Sequence, residues 1–402
     1  MGTYRSTNSP TNAIGFCLLP SELIERILLC LALPDIIRFK LVSKTVSSII
    51  AHQDFVRRCN LRFSSTTWLF LHKKRCHRYS LLDGFSDDRS DRLFRIPITN
   101  LLKPFIFPGE DLFFLTASGN VFLFASNSHR AVITVNFVTN TVKKIPPTPL
   151  GPRSTCSWRR SGMKLLPGPV GSDHFRFLFA ELVENRPVVF EYDSETEKWQ
   201  SMVAKEDDGS SPRVAERVGD YIFLSLIHGA GESSVIAIKS PNNTPVILRP
   251  RFENRGEEDR RLTVGFSWGS SIDRLHVMGD GYMMIVKSDG VDEGNTRVRM
   301  LKGIEMWGLG LNGRNWELIS NLPSKLMGQI NKPYGVMMGC LEGRKNTTIN
   351  AVLMSNLEGL WDIIWLRYDI VGKHWSWVPL PDCKMKGLNM AGIAFSSGLT
   401  LS

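Results

Sequence analysis

The sequence predicts an all-β propeller of six blades, with seven as the alternative count, preceded by a small all-α domain. Three observations carry this. Apolar residues recur at helical spacing from Leu19 to about Leu61. From about Trp68 onward, runs of four to seven residues rich in Val, Ile, Phe and Trp alternate with Gly, Pro, Asn and Asp turns, as in VILRP and LWDIIWLRYD. A strand, turn and aromatic unit then recurs several times. The expected organisation is a disordered stretch over 1–15, a helical domain over 16–60 and the propeller over 61–402.

In the helical domain, Leu23, Ile24, Ile27, Leu28 and Leu31 mark one face of a first helix. Pro20 stands where a first-turn proline is tolerated, and Glu22 and Glu25 lie near the positive end of the helix dipole. Pro34 and Asp35 end that helix and begin a second. Ser43 is a natural N-cap for a third, which carries Val42, Val46, Ile49 and Ile50 along one face. Three short helices are expected.

In the propeller, the repeat unit appears as VNFVTNTVKKIPP from Val135, FEYDSETEKWQSM from Phe190, GLGLNGRNWELISNLP from Gly308 and LRYDIVGKHWSWVPLP from Leu366. Tyr192 precedes Trp199, Leu309 precedes Trp316 and Tyr368 precedes Trp375 by the same seven residues. Weaker copies are placed at Tyr79 and Ile238. Taking Tyr79, Asn136, Tyr192, Ile238, Leu309 and Tyr368 as equivalent gives steps of 57, 56, 46, 71 and 59 residues. Six units of that size fill the region, and the paired aromatics are read as packing between blades. The apolar segment Ala391 to Phe395 has no later unit to join, while the first unit is short of strands. Residues 391–399 are therefore expected to complete the blade containing Trp68 to Leu82.

Composition narrows the function. Residues 1–80 carry 12 Lys and Arg against 4 Asp and Glu, whereas the rest carries 37 against 35. The basicity belongs to the N-terminal fifth, where charge alone does not choose between nucleic acid, membrane and acidic protein. The longest apolar region is broken by Glu22, Glu25 and Arg26, so no transmembrane helix is expected. No secretory signal pattern opens the chain, and seven irregularly spaced cysteines suit reduced thiols in cytoplasm or nucleus.

The segment LLPSELIERILLCLALPDIIRFKLVSKTVSSIIAHQDF resembles an F-box, through Leu19-Pro20, the apolar helix to Leu31, Leu33 to Phe39, Val42 to Lys44, and Phe55. Val46 stands where the family usually has Trp, a change that would thin the adaptor contact. The remainder resembles the degenerate kelch domain that follows the F-box in many plant proteins, with Asn136, Thr139, Ile145, Pro146 and Pro147 retained from its turn pattern. Phe137 and Val142 depart from that pattern, and the Gly-Gly doublet of kelch repeats is absent. The resemblance implies a substrate-recognition subunit of a Skp-cullin-F-box ubiquitin ligase. The F-box would dock a Skp-type adaptor, and through it a cullin, while the propeller binds a protein substrate. Leu19, Pro20, Leu23, Ile27, Leu28, Leu41 and Val42 would supply apolar adaptor contacts and Lys44 a charge. A 40-residue helical segment is small for a stable core of its own, which fits completion by a partner.

Other chemistry is weakly signalled. Gly308, Gly310 and Gly313 spell a dinucleotide fingerprint, but RNWELISNLP follows instead of a helix, so a blade turn is expected. Among Cys59, His72, Cys76 and His77, Cys59 to His72 spans a finger-like interval, but no Cys-x-x-Cys precedes it and Trp68 to Leu71 read as a strand, so a bystander cluster is expected. The basic run from Lys73 to Arg78 reads as a solvated blade edge. The expectation is a non-catalytic chain with no cofactor or metal and with neither nucleic acid nor membrane as partner. The alternatives are an interaction scaffold independent of the ligase, prompted by Val46, and a propeller oxidoreductase.

Overall fold

The computed structural model describes residues 19–75, 79–106, 112–126, 131–146, 162–169, 172–206, 221–227, 233–239, 244–252, 266–267, 274–293, 296–311, 313–344, 347–381, 385–386 and 390–401. Four helices come first: α1 (Ser21–Leu29), α2 (Leu33–Phe39), α3 (Lys44–Ala51) and α4 (Gln53–Phe63). The fourth was not expected. His52 takes an extended conformation (φ −67°, ψ 133°) that separates α3 from α4, and Phe55, Cys59 and Phe63 then repeat at i, i+4 and i+8 on one buried face. The helical unit thus runs to Phe63, past the expected boundary at 60.

Six sheets follow, and the count of six stands. Within each, strands a to d run outward from the axis, and the a strands neighbour one another around a closed ring. Blade 2 shows the plain pattern: Leu112–Ser118, Val121–Ser126, Val132–Asn136 and Thr141–Ile145, each antiparallel to the next. Blade 3 repeats it with Met163–Pro167, Phe175–Val183, Arg186–Asp193 and Lys198–Val203. Blade 6 does so with Val336–Arg344, Thr348–Leu357, Leu360–Asp369 and His374–Val378. Blade 5 has Arg274–Gly279, a long hairpin of Tyr282–Glu293 and Thr296–Leu309, and Asn315–Asn321. In blade 4, Tyr221–Ile227, Ser233–Lys239 and Val246–Leu248 are finished by Lys205–Glu206, which arrives from blade 3 and pairs in parallel, as Arg251–Phe252 pairs in parallel with the outer strand of blade 5.

The ring closes as the surplus at one end of the chain suggested. Met390–Ser397 is strand a of blade 1 and pairs antiparallel with Thr67–Arg75, matching Phe70 to Ala394 and Leu71 to Ile393. Tyr79–Ser86 and Arg89–Pro97 complete that blade. No strand edge is then left open between the first and last blades.

The seven-residue spacing has a simple cause. Tyr192 faces Trp199, Leu309 faces Trp316 and Tyr368 faces Trp375 across the c–d hairpin of their blades. Asn136 was placed one residue late, since Val135 is the partner of Val142. Asp193 and Asp369 start the equivalent turns, where their Oδ1 atoms accept from Glu195 N and Gly372 N as Asn136 Oδ1 accepts from Val138 N. The two weaker copies were misplaced: Ile238 lies on strand b opposite Ile222, and Tyr79 opens strand c rather than ending it. The Gly308–Gly313 motif is likewise a c–d turn, with Gly310 N donating to Asn315 O and Gly313 at φ 68°.

Candidate protein-docking surface

Helix α1 divides its apolar residues between two faces. Ile24 and Leu28 are fully buried against Ile50, Phe55 and Cys59, whereas Leu23 and Ile27, one turn apart, remain 44% and 41% exposed. Pro20 precedes the helix, is exposed, and its carbonyl accepts from Leu23 N and Ile24 N. The turn joining α2 to α3 presents a second apolar pair, Leu41 at 89% and Val42 at 60% exposure. Lys44 opens α3 in solvent, on a helix whose N-cap Ser43 Oγ accepts from Val46 N at 3.2 Å. Of the eight residues singled out in the sequence, six therefore face solvent. Leu19 is half-buried against the helical core, and Leu28, 0% exposed, belongs to that core and supports the exposed pair from beneath.

Val46, which stands in place of the family's usual Trp, is fully buried in the helical core with Ile50.

The helical unit does not hang free of the propeller. Its core continues into Trp68, Phe94, Ile98 and Leu102 of blade 1 and the segment after it, and into Leu399 and Leu401 beyond the closing strand. Arg92 pairs with Asp35 at 2.9 Å, and Arg38 donates to the Arg95 carbonyl. Arg58 pairs with Glu25 inside the unit, and Arg62 donates to the Leu31 carbonyl, so α4 braces α1.

Strand order fixes the end of the propeller at which the helical unit joins it. The chain passes from α4 to the start of strand b in blade 1, the end that carries the short a–b and c–d turns. The opposite end carries the b–c and d–a connections, with the tip of the long blade 5 hairpin and the short helix Ser324–Ile330.

A second polar cluster escaped the sequence analysis. Lys164 of blade 3 pairs with Asp280 in the a–b turn of blade 5, whose Oδ2 accepts from Gly343 N of blade 6. Glu342 lies beside them. Burial pushes its carboxyl up to about 7; Lys164 and Arg344 oppose this and Asp280 adds to it. Burial disfavours the Lys164 charge, but Asp280 and Glu342 outweigh it and hold that ammonium above its usual value. The three groups come from strands or turns far apart in sequence, and a charged residue within an apolar inner strand, MKLLP or VMMGCLEGR, was the available signal. The cluster ties three blades together near the axis. His72, one of the zinc candidates, is buried against Phe124, and Cys59 packs in the helical core; Cys76 and His77 lie outside the described residues.

Residues 16–58 match the family of F-box domains. The helical unit is an F-box. No curated protein matches the chain. Solved structures of similar outline include TolB from Acinetobacter baumannii (9% identity, 88% of this chain and 73% of that one, TM-score 0.39). A nidogen/laminin complex is another (8% identity, 83% and 100%, TM-score 0.42). Apo AztD from Citrobacter koseri is a third (12% identity, 82% and 98%, TM-score 0.30). Likeness at this level says nothing of what this propeller binds. Among the described residues, no helix is long and apolar enough to cross a membrane.

Proposed function

We propose that this chain is a substrate receptor of a Skp-cullin-F-box ubiquitin ligase. The observation that carries the reading is that the F-box, although its core is continuous with that of the propeller, leaves Leu23, Ile27, Leu41 and Val42 in water. A large apolar side chain gains roughly 1.5–3 kcal/mol when a partner buries it fully. Four such residues on a unit of this size are suited to docking on a Skp-type adaptor, with Pro20 and Lys44 beside them. Leu19 and Leu28 then act by holding α1 in place.

The propeller would hold a protein substrate, by the end remote from the F-box. The helices join the propeller at the short-turn end, whereas the other end carries the longer connections, where binding residues concentrate in such scaffolds. Blade sequences resembling degenerate kelch repeats fit this division. The chain's role in the ligase would be recruitment, with no catalytic step of its own. The test is affinity purification from cells with the proteasome inhibited, using wild type and a Leu23→Asp/Ile27→Asp variant. A receptor accumulates its substrate under this block and brings adaptor and cullin with it, and the variant loses both of these while retaining the substrate. Recovery of adaptor and cullin at equal levels with wild type and variant would contradict the proposed surface.

A further inference from the structure

We propose that the contacts fastening the helical unit to blade 6 and to the segment after the closing strand hold the F-box in the form that presents its docking surface. This rests on the adaptor reading for its consequence, but its structural part stands separately. Two fasteners hold the end of α4, and a third anchors the segment that supplies one of them. From blade 6, the guanidinium of Arg344 donates to the carbonyls of both Ser64 and Ser65, at and just past the C-cap of α4. From beyond the closing strand, Leu401 N donates to Asn60 Oδ1 of α4 at 2.9 Å, and Leu399 and Leu401 are buried in the core shared with the helices. From blade 2, Asn120 clasps Thr400 twice, accepting from its N at 2.9 Å and donating to its Oγ1 at 2.8 Å.

The seam itself lies under these contacts. Arg367 of blade 6 pairs with Asp87 of blade 1, and Asp87 Oδ1 accepts from Thr67 N, the first residue of the strand that follows the helices. On the other side of blade 1, Ser396 Oγ of the closing strand donates to the Gly119 carbonyl of blade 2. Loss of these fasteners would therefore deprive α4 of Arg344, Leu399 and Leu401 together, and α4 is what braces α1, the carrier of Leu23 and Ile27. Local opening free energies follow such buried contacts. The functional consequence is a coupling: a chain that lacks these contacts presents a loosened F-box and is a poor candidate for entry into the ligase.

The experiment uses the full chain and two variants that keep the closing strand: truncation after Gly398 combined with Arg344→Ala, and the milder Asn60→Ala/Asn120→Ala. Amide exchange is followed in the helices and in blades 3 to 5, and affinity for a purified Skp-type adaptor is measured alongside. Exchange in α1 and α4 should rise by about tenfold or more while blades 3 to 5 keep their protection. Adaptor affinity should fall by about tenfold. Should the truncated variant precipitate, the double Asn variant gives the same comparison with smaller changes. Helix exchange at the wild-type rate in a soluble variant would overturn the coupling. Wild-type protein that fails to bind the adaptor would instead overturn the functional reading, and the exchange rates would still decide the coupling.

Discussion

The indole Nε1 of Trp199 donates to the carbonyl of Pro146 at 2.9 Å, joining the outer strand of blade 3 to the end of the outer strand of blade 2. Trp375 repeats the arrangement three blades on, donating to Ser320 Oγ of blade 5 at 3.0 Å. The recurrent Trp of the sequence therefore has two tasks, packing on its c-strand aromatic and fastening its blade to the preceding one. Trp375 is buried and Trp199 half-buried. Trp375→Ala should cost about 3–5 kcal/mol in chemical denaturation and Trp199→Ala less, since part of its surface is already in water. Trp375→Phe keeps most of the packing and should cost only about 1 kcal/mol, the hydrogen bond. Equal losses for Trp375→Phe and Trp375→Ala would show that packing contributes little.

Ring closure depends on a glycine. Gly392 of the closing strand sits at φ 154°, and a Cβ there would lie 2.3 Å from the Phe114 carbonyl oxygen of blade 2. The backbone atom cannot swing aside as a flexible side chain could. Gly392→Ala should lower stability by about 3 kcal/mol, at the upper end for an overpacked site, whereas Gly398→Ala, with nothing within 4 Å, should be limited to its φ cost at 72°. Deletion of everything after Cys383 removes the closing strand altogether and should give insoluble protein. A soluble, cooperatively melting truncation would contradict the closure seen here.

Much of this fold was legible because it is written locally. Strand runs and turns gave the blades, and cross-strand pairing made the seven-residue aromatic spacing visible. The outer strand of blade 4 was hidden for the opposite reason: Lys205–Glu206 pairs in parallel with Val246–Leu248 across a long stretch of chain, and no hairpin turn announces such a pairing. Helix α4 was missed although Phe55, Cys59 and Phe63 mark its face, because Arg57, Arg58 and Arg62 dilute the apolar pattern. At the proposed docking surface, spacing identified the apolar residues of α1 but not which of them look outward. Leu28 and Val46 turned inward because the other helices of the unit pack against α1 and α3, which spacing does not report.

Two buried groups give stability opposite pH trends. Burial lowers the His72 pKa to about 4, with the Ala391 backbone opposing, so the unfolded chain takes up the proton first as pH falls. Stability from this residue is present above about pH 6.5 and is lost between there and about pH 4, by up to roughly 3 kcal/mol. Glu342 is raised to about 7, so its contribution is lost as pH rises from the usual carboxylate value through about 7. His72→Leu should flatten the acid limb of a melting profile, and Glu342→Gln should stabilise the protein at pH 8 relative to wild type. A Glu342→Gln profile parallel to wild type from pH 5 to 8 would place that carboxylate in solvent.

Leu23 and Leu28 stand five residues apart and should behave differently. Leu28→Ala empties a fully buried position and should destabilise the F-box by about 2–5 kcal/mol. Leu23→Ala should change stability by no more than about 0.5 kcal/mol, being a surface substitution. Amide exchange resolved by helix separates the two, and similar exchange in both variants would contradict the assignment of faces on α1.

The most direct measurement is calorimetric titration of the purified full chain with a purified Skp-type adaptor, for wild type and for Leu23→Asp/Ile27→Asp. The expected result is a one-to-one complex with wild type and loss of binding in a variant whose melting temperature is unchanged. Absence of binding by folded wild-type protein would contradict the account of this chain as a ligase receptor, and undiminished binding by the variant would contradict the surface assigned to it.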